Sequence, residues 1–152
     1  MATKRKKALP DKPSALIRLA IRDLIATEKH RHDVIRMDVW CVPIWDEPKA
    51  TVSKAKGCEV CLAGAVMRRS LQTSPSEGIV FPQDFPDGIT AKLDALDEFR
   101  IGHCSVGLEQ MGISELPAGI RSWYDITSYD IDPKLFKRDM RKLATTLAAA
   151  GL

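Results

Sequence analysis

At 152 residues, 45% of them hydrophobic, the chain is long enough for one domain with a filled core that needs no disulfide or metal staple. Its formal net charge is only +3, and no run nears the ~18 consecutive apolar residues of a membrane span. The basic start is not followed by the apolar stretch of a secretory signal, so a cytoplasmic protein with no membrane partner is expected, its four cysteines kept as thiols.

The charge is uneven along the chain. Lys4, Arg5, Lys6, Lys7 and Lys12 against Asp11 put +4 into residues 1–14 and leave −1 for the rest, 18 basic against 19 acidic. A Lys/Arg cluster beside Pro10 and Pro13 has no apolar area to bury. Residues 1–14 are therefore read as a flexible basic tail and 15–152 as a single globular domain. Such a tail can sit on phosphates by releasing counterions, or serve only as a solubilising arm.

Ser14 can cap a helix, because its hydroxyl oxygen accepts from a first-turn N–H. Leu16, Ile17, Ala20, Ile21, Leu24 and Ile25 follow at helical spacing, with Arg18, Arg22 and Lys29 off the stripe. Lys29, His30, Arg31 and His32 close the helix with positive charge, which its dipole favours, and this accounts for both histidines without a metal. From Asp33 the period becomes two. Ile35, Met37, Val39 and Cys41 form the more buried set of a strand running to Val42, and Pro43 limits its pairing. The loop-like stretch after Trp45 holds Ala50 to Ser53 as a short partner strand.

Next, Cys58, Cys61, Leu62 and Ala65 fall at i, i+3, i+4 and i+7, which predicts a helix running to about Leu71. Ala63, Gly64 and Ala65 would let another helix approach closely, a reason to keep a glycine that costs ~1 kcal/mol relative to alanine. Arg68 and Arg69 suit the last turn. Ser74 to Gly88, SPSEGIVFPQDFPDG, has no period and ends in a Pro-Asp-Gly turn signal, so it reads as a long loop. Phe81 and Phe85 are its anchors, pinning it to the core or meeting a partner.

Thr90 is read as the cap of a helix bearing Leu93, Leu96 and Phe99. Its Asp94, Asp97 and Glu98 read as a solvated face and not as acid-base groups. A short apolar segment from His103 to Met111 stops at Gly112. In the last helix Asp132 is the cap, Pro133 takes the first position and Gly151 ends it. Phe136, Met140, Leu143 and Leu147 make one apolar seam. Lys134, Lys137, Arg138, Arg141 and Lys142 lie on the other side, with Asp139 interrupting them.

Cys41, Cys58, Cys61 and Cys104, with His103 beside them, have the right count for structural zinc. Zinc knuckles hold Cys-x-x-Cys in a tight turn, however, and here it leads directly into an apolar helix. Buried thiols acting as small hydrophobes are the expectation. A redox pair at a helix N-terminus would have a stabilised thiolate, but thioredoxin-like sites belong to alternating strands and helices. No phosphate loop, His-Glu-x-x-His or nucleophile elbow occurs. Neither catalysis nor a cofactor or metal is expected.

Three stretches, CEVCLAGAVM, LDALDEFRIG and YDIDPKLFKRDMRKLATTLAAAGL, follow a Trp-bearing strand in that order. Together they resemble small uncharacterised proteins encoded by tailed bacteriophages and prophages, over most of Asp33 to Leu152. The KRKK tail and the long connection from Pro43 to Lys56 are departures from that group. The resemblance implies a phage accessory protein working in the bacterial cytoplasm, and it carries no catalytic or binding residues to this chain.

The expected architecture is α+β and mainly helical, with four to five helices packed on one short β-hairpin. The expected function is non-enzymatic: a phage accessory protein that binds a host or phage macromolecule, inhibiting or redirecting a host defence protein. Its partner-binding residues are read as Lys4, Arg5, Lys6, Lys7, Phe81, Phe85, Lys134, Lys137, Arg138 and Arg141. The alternatives are nucleic-acid binding through the tail and the C-terminal helix, and a small zinc-containing or thiol enzyme.

Overall fold

The first helix organises the core. In the computed structural model, which describes residues 8–37, 39–44, 57–72, 85–99, 104–115 and 133–152, helix α1 (Pro13–Arg31) buries Leu16, Ile17, Ala20, Ile21 and Leu24 along one stripe. It starts two residues earlier than a Ser14 cap allows. Lys12 is the cap, Pro13 fills a position whose N–H would be unpaired anyway, and Ser14 is buried. The helix stops where His32 turns left-handed, at φ 55°, and the Asp33 N–H reaches back to the Thr27 carbonyl at 3.4 Å. Ahead of it Leu9 is buried, and its carbonyl accepts from Lys92 Nζ at 3.0 Å. The last part of the expected tail is thus packed down, residues 1–7 lying outside the described set.

Strands β1 (Val34–Ile35), β2 (Cys41–Ile44) and β3 (Gly57–Val60) form a sheet in the order β1-β3-β2. The central β3 runs parallel to β1, with Ile35 opposite Val60, and antiparallel to β2, with Cys41 opposite Val60 and Pro43 opposite Cys58. The antiparallel β2–β3 pair is extended by β1 into a mixed three-stranded sheet, the expected long strand is two short pieces, and the expected partner strand Ala50 to Ser53 lies outside the described residues. Pro43 falls on an edge strand, where a residue without an N–H can face away from the ladder. Because β1 and β2 flank β3 on opposite sides, the chain crosses the C-terminal end of β3 between them.

Helix α2 (Leu62–Arg69) begins at that crossing, and every residue from Leu62 to Arg68 is buried. A Cβ on Gly64 would overlap the Trp40 carbonyl oxygen and lie 2.6 Å from its carbonyl carbon. The close approach that requires glycine is therefore made by a backbone crossover, not by another helix. The same carbonyl accepts from the Cys61 N–H at 3.4 Å, tying the crossover to the start of α2.

Helix α3 (Asp87–Asp97) opens inside the expected loop. Pro86 is its cap, Asp87 sits in the first turn, where the dipole favours a carboxylate, and the Thr90 hydroxyl donates to the Phe85 carbonyl at 2.9 Å. Helix α4 (Cys104–Gln110) packs on α3 through Gly107, whose Cβ would come within 2.6 Å of the Ala95 carbonyl oxygen. Helix α5 (Pro133–Ala149) ends beside Gly151, at φ 84°, and buries Phe136, Met140, Leu143 and Leu147 as its spacing predicts. It packs antiparallel on α1, since Lys12 Nζ reaches the Gly151 carbonyl at 3.4 Å and Lys137 Nζ reaches Glu28 at 2.9 Å. The described residues make an α+β fold, mainly helical, with α1 and α2 at its centre.

Candidate interaction surface

The Cys58-x-x-Cys61 pair does not ride on a helical stripe. Cys58 belongs to β3 and Cys61 caps α2, so the motif straddles a strand-to-helix turn. All four cysteines are buried thiols. The β2–β3 register sets Cys41 diagonally across from Cys58 on one face of the sheet. A hydrogen bond with the Cys58 thiol, and then burial, pushes the Cys41 thiol far above its ordinary range, so it stays protonated. Diagonal neighbours stand farther apart than the ~3.5–4.5 Å between Cβ atoms that a disulfide needs. No group of three or more His, Cys, Asp or Glu among the described residues is arranged to hold a metal ion, and His103 lies outside them. Ellman's reagent should accordingly label the native protein only at the slow rate of its opening, and all four thiols at once in strong denaturant. Rapid native labelling of Cys41 would contradict a protonated, closed pair.

Two buried carboxylates, Asp33 and Asp23, are engaged inside the fold. Asp33 Oδ1 accepts from the Cys58 N–H at 2.8 Å and from Arg68 Nη2 at 3.0 Å, while its Oδ2 accepts from Arg68 Nε at 3.1 Å. Asp23 on α1 accepts from Arg22 Nη2 at 3.0 Å and from the Ser70 hydroxyl, with Arg69 Nε 3.6 Å away. On α3 the expected solvated acidic face is partly sunk. Asp97 is buried, and burial pushes the Asp94 carboxyl above its usual value. Asp97 follows Leu93 by four residues and so shares its stripe.

A cleft of about 220 Å³ opens between the start of α1, α3 and the end of α4, lined in part by Asp11, Leu16, Lys92 and Met111. It is smaller than the ~300 Å³ at which drug-sized pockets begin. Its one lysine is engaged, donating to Asp11 at 2.8 Å as well as to the Leu9 carbonyl.

Exposed charge collects on α5. Lys134, Arg138, Arg141 and Lys142 are exposed and, at spacings of three and four residues, share its outer face with Thr145. Asp139 does not interrupt them. It follows Phe136 by three residues and precedes Leu143 by four, so it lies on the core side, 4% exposed. Its Oδ1 accepts from Arg138 Nε at 3.1 Å, while the Arg138 side chain remains 73% exposed. That spacing is the signal by which the sequence itself could have assigned Asp139 inward.

The other expected contacts divide differently. Lys137 does not join the outer face, because its ammonium is held by Glu28 and its side chain is only 14% exposed. Phe85, read either as a core anchor or as a partner contact, is a core residue, 6% exposed. Lys142, outside the expected set, belongs to the face. Lys4, Arg5, Lys6, Lys7 and Phe81 lie outside the described residues. Among the described residues no helix is long and apolar enough to cross a membrane. Comparison of the chain with protein-family models, with curated proteins and with solved structures finds no match.

Proposed function

We propose that this is a non-catalytic binding protein that engages an anionic macromolecule through the outer face of α5. The observation that carries the reading is the inward turn of Asp139, which leaves Lys134, Arg138, Arg141 and Lys142 as an exposed face of one sign. The internal use of Asp23, Asp33 and Arg68 and the burial of the four thiols fit a chain whose polar chemistry serves its own packing. The order of the CEVCLAGAVM, LDALDEFRIG and final-helix stretches supports a phage accessory protein, acting in the bacterial cytoplasm to block or redirect a host or phage component. Affinity capture from nuclease-treated and untreated bacterial lysate tests the reading. The parent bait should enrich its partner at least tenfold over an Arg138→Glu, Arg141→Glu, Lys142→Glu bait. Equal recovery on the two baits in both lysates would remove α5 as the recognition surface.

A further inference from the structure

The chemistry of the α5 face narrows the partner further, an inference that rests on the binding reading above. We infer that this face docks on the phosphate backbone of duplex DNA. Lys134, Arg138 and Arg141 are spaced four and three residues apart on a helix of 17 residues. Those spacings correspond to about 6 and 4.5 Å along the axis, within reach of successive phosphates at ~3.4 Å of duplex axis per strand. Lys142 flanks the row, and Asp139 pins Arg138 through its Nε, leaving the outer guanidinium nitrogens toward solvent. A guanidinium fork of that kind suits two phosphate oxygens.

Among the described residues the face lacks what other partners require. A protein interface needs a desolvated aromatic or apolar centre, and the exposed residues of α5 are Lys134, Arg138, Arg141, Lys142, Thr145 and Ala149. Single-stranded nucleic acid is held by stacking on aromatic side chains, and none is among the exposed residues of α5. Asn and Gln, the groups that pair with adenine edges, are absent from α5, and the Thr145 hydroxyl is already donated to the Arg141 carbonyl at 3.0 Å. A helix about 10–12 Å across matches the ~12 Å major groove of B-form DNA, whereas the deep, narrow groove of A-form RNA excludes it.

The test is fluorescence anisotropy of a labelled mixed-sequence DNA duplex with the full chain, titrated between ~50 and ~200 mM salt. Affinity should fall at least ~100-fold over that range, as expected for four or more neutralised phosphates. Arg138→Gln with Arg141→Gln should make the log–log salt slope shallower by about 2, whereas Lys137→Gln should leave it unchanged. Circular dichroism melts verify that each variant is folded. An unchanged slope in a folded double variant overturns the inference, as does absence of duplex binding at ~50 mM salt. The capture experiment separates this failure from that of the broader reading. Recovery of an acidic protein after nuclease treatment, dependent on the α5 charges, would keep a binding protein and replace DNA by a protein partner. Equal recovery on both baits would remove both.

Discussion

Gly64→Ala should destabilise the protein by more than ~3 kcal/mol and lower its melting temperature by about 10 °C or more, although helix propensity alone favours the change by ~1 kcal/mol. The steric effect wins because of what stands in the way. The new Cβ would overlap the Trp40 carbonyl oxygen, a backbone atom that cannot rotate aside as a side-chain terminus can. Moving that carbonyl moves the whole crossover. The Cys61 N–H would lose its 3.4 Å acceptor, and the 2.9 Å bond from the Arg36 N–H to the Val60 carbonyl, which continues the β1–β3 pairing, would be pulled out of register. Gly88→Ala is the internal comparison. A Cβ there meets nothing within 4 Å, so the change should be neutral or stabilise by up to ~1 kcal/mol. Chemical denaturation of both variants checks the pair of expectations. An unaltered midpoint for Gly64→Ala would mean that the crossover does not lie on α2.

The same crossover marks the limit of what the sequence discloses. Helices α1 and α5 are legible because each buries one stripe, so Leu16 to Leu24 and Phe136 to Leu147 recur at helical spacing. β3 is not legible. Its four residues, with Gly57, Cys58 and Val60 buried and only Glu59 partly exposed, are too few to establish a period and merge with the apolar start of α2. The i, i+3, i+4, i+7 match of Cys58, Cys61, Leu62 and Ala65 is then accidental, its first member lying one element earlier. Arg68 looks like an ordinary C-terminal cation, because its carboxylate partner is 35 residues away and long-range pairing leaves no local trace. Asp139 was legible in principle. Its three- and four-residue relation to Phe136 and Leu143 outweighs its charge, and only the habit of assigning carboxylates to solvent hides it. The candidate surface is therefore readable as a row of cations, and its lack of an exposed acid only through the spacing of Asp139 from Phe136 and Leu143.

Arg68→Met should cost about 3–5 kcal/mol, because it leaves the Asp33 carboxylate as an uncompensated charge in the core. Arg68 and Asp33 are each 3% exposed, and their two contacts, at 3.0 and 3.1 Å, form a bidentate pair. The pair itself is no large net stabiliser, since both ions are desolvated and the buried Arg68 Nη1 has no hydrogen-bond partner among the described residues. Its effect is positional. Asp33 leads into β1, Cys58 lies in β3 and Arg68 is in the last turn of α2, so one carboxylate fixes three elements against each other. Two double variants separate charge from position. Asp33→Asn with Arg68→Met keeps a carbonyl oxygen for the Cys58 N–H and should recover most of the loss. Asp33→Leu with Arg68→Met leaves that buried amide without its acceptor and should remain ~1–3 kcal/mol less stable than the Asn pair. Urea denaturation midpoints at neutral pH decide the matter. Equal stability of the two double variants would show the Cys58 amide indifferent to Asp33, and additive single effects would show that the two charges are not coupled.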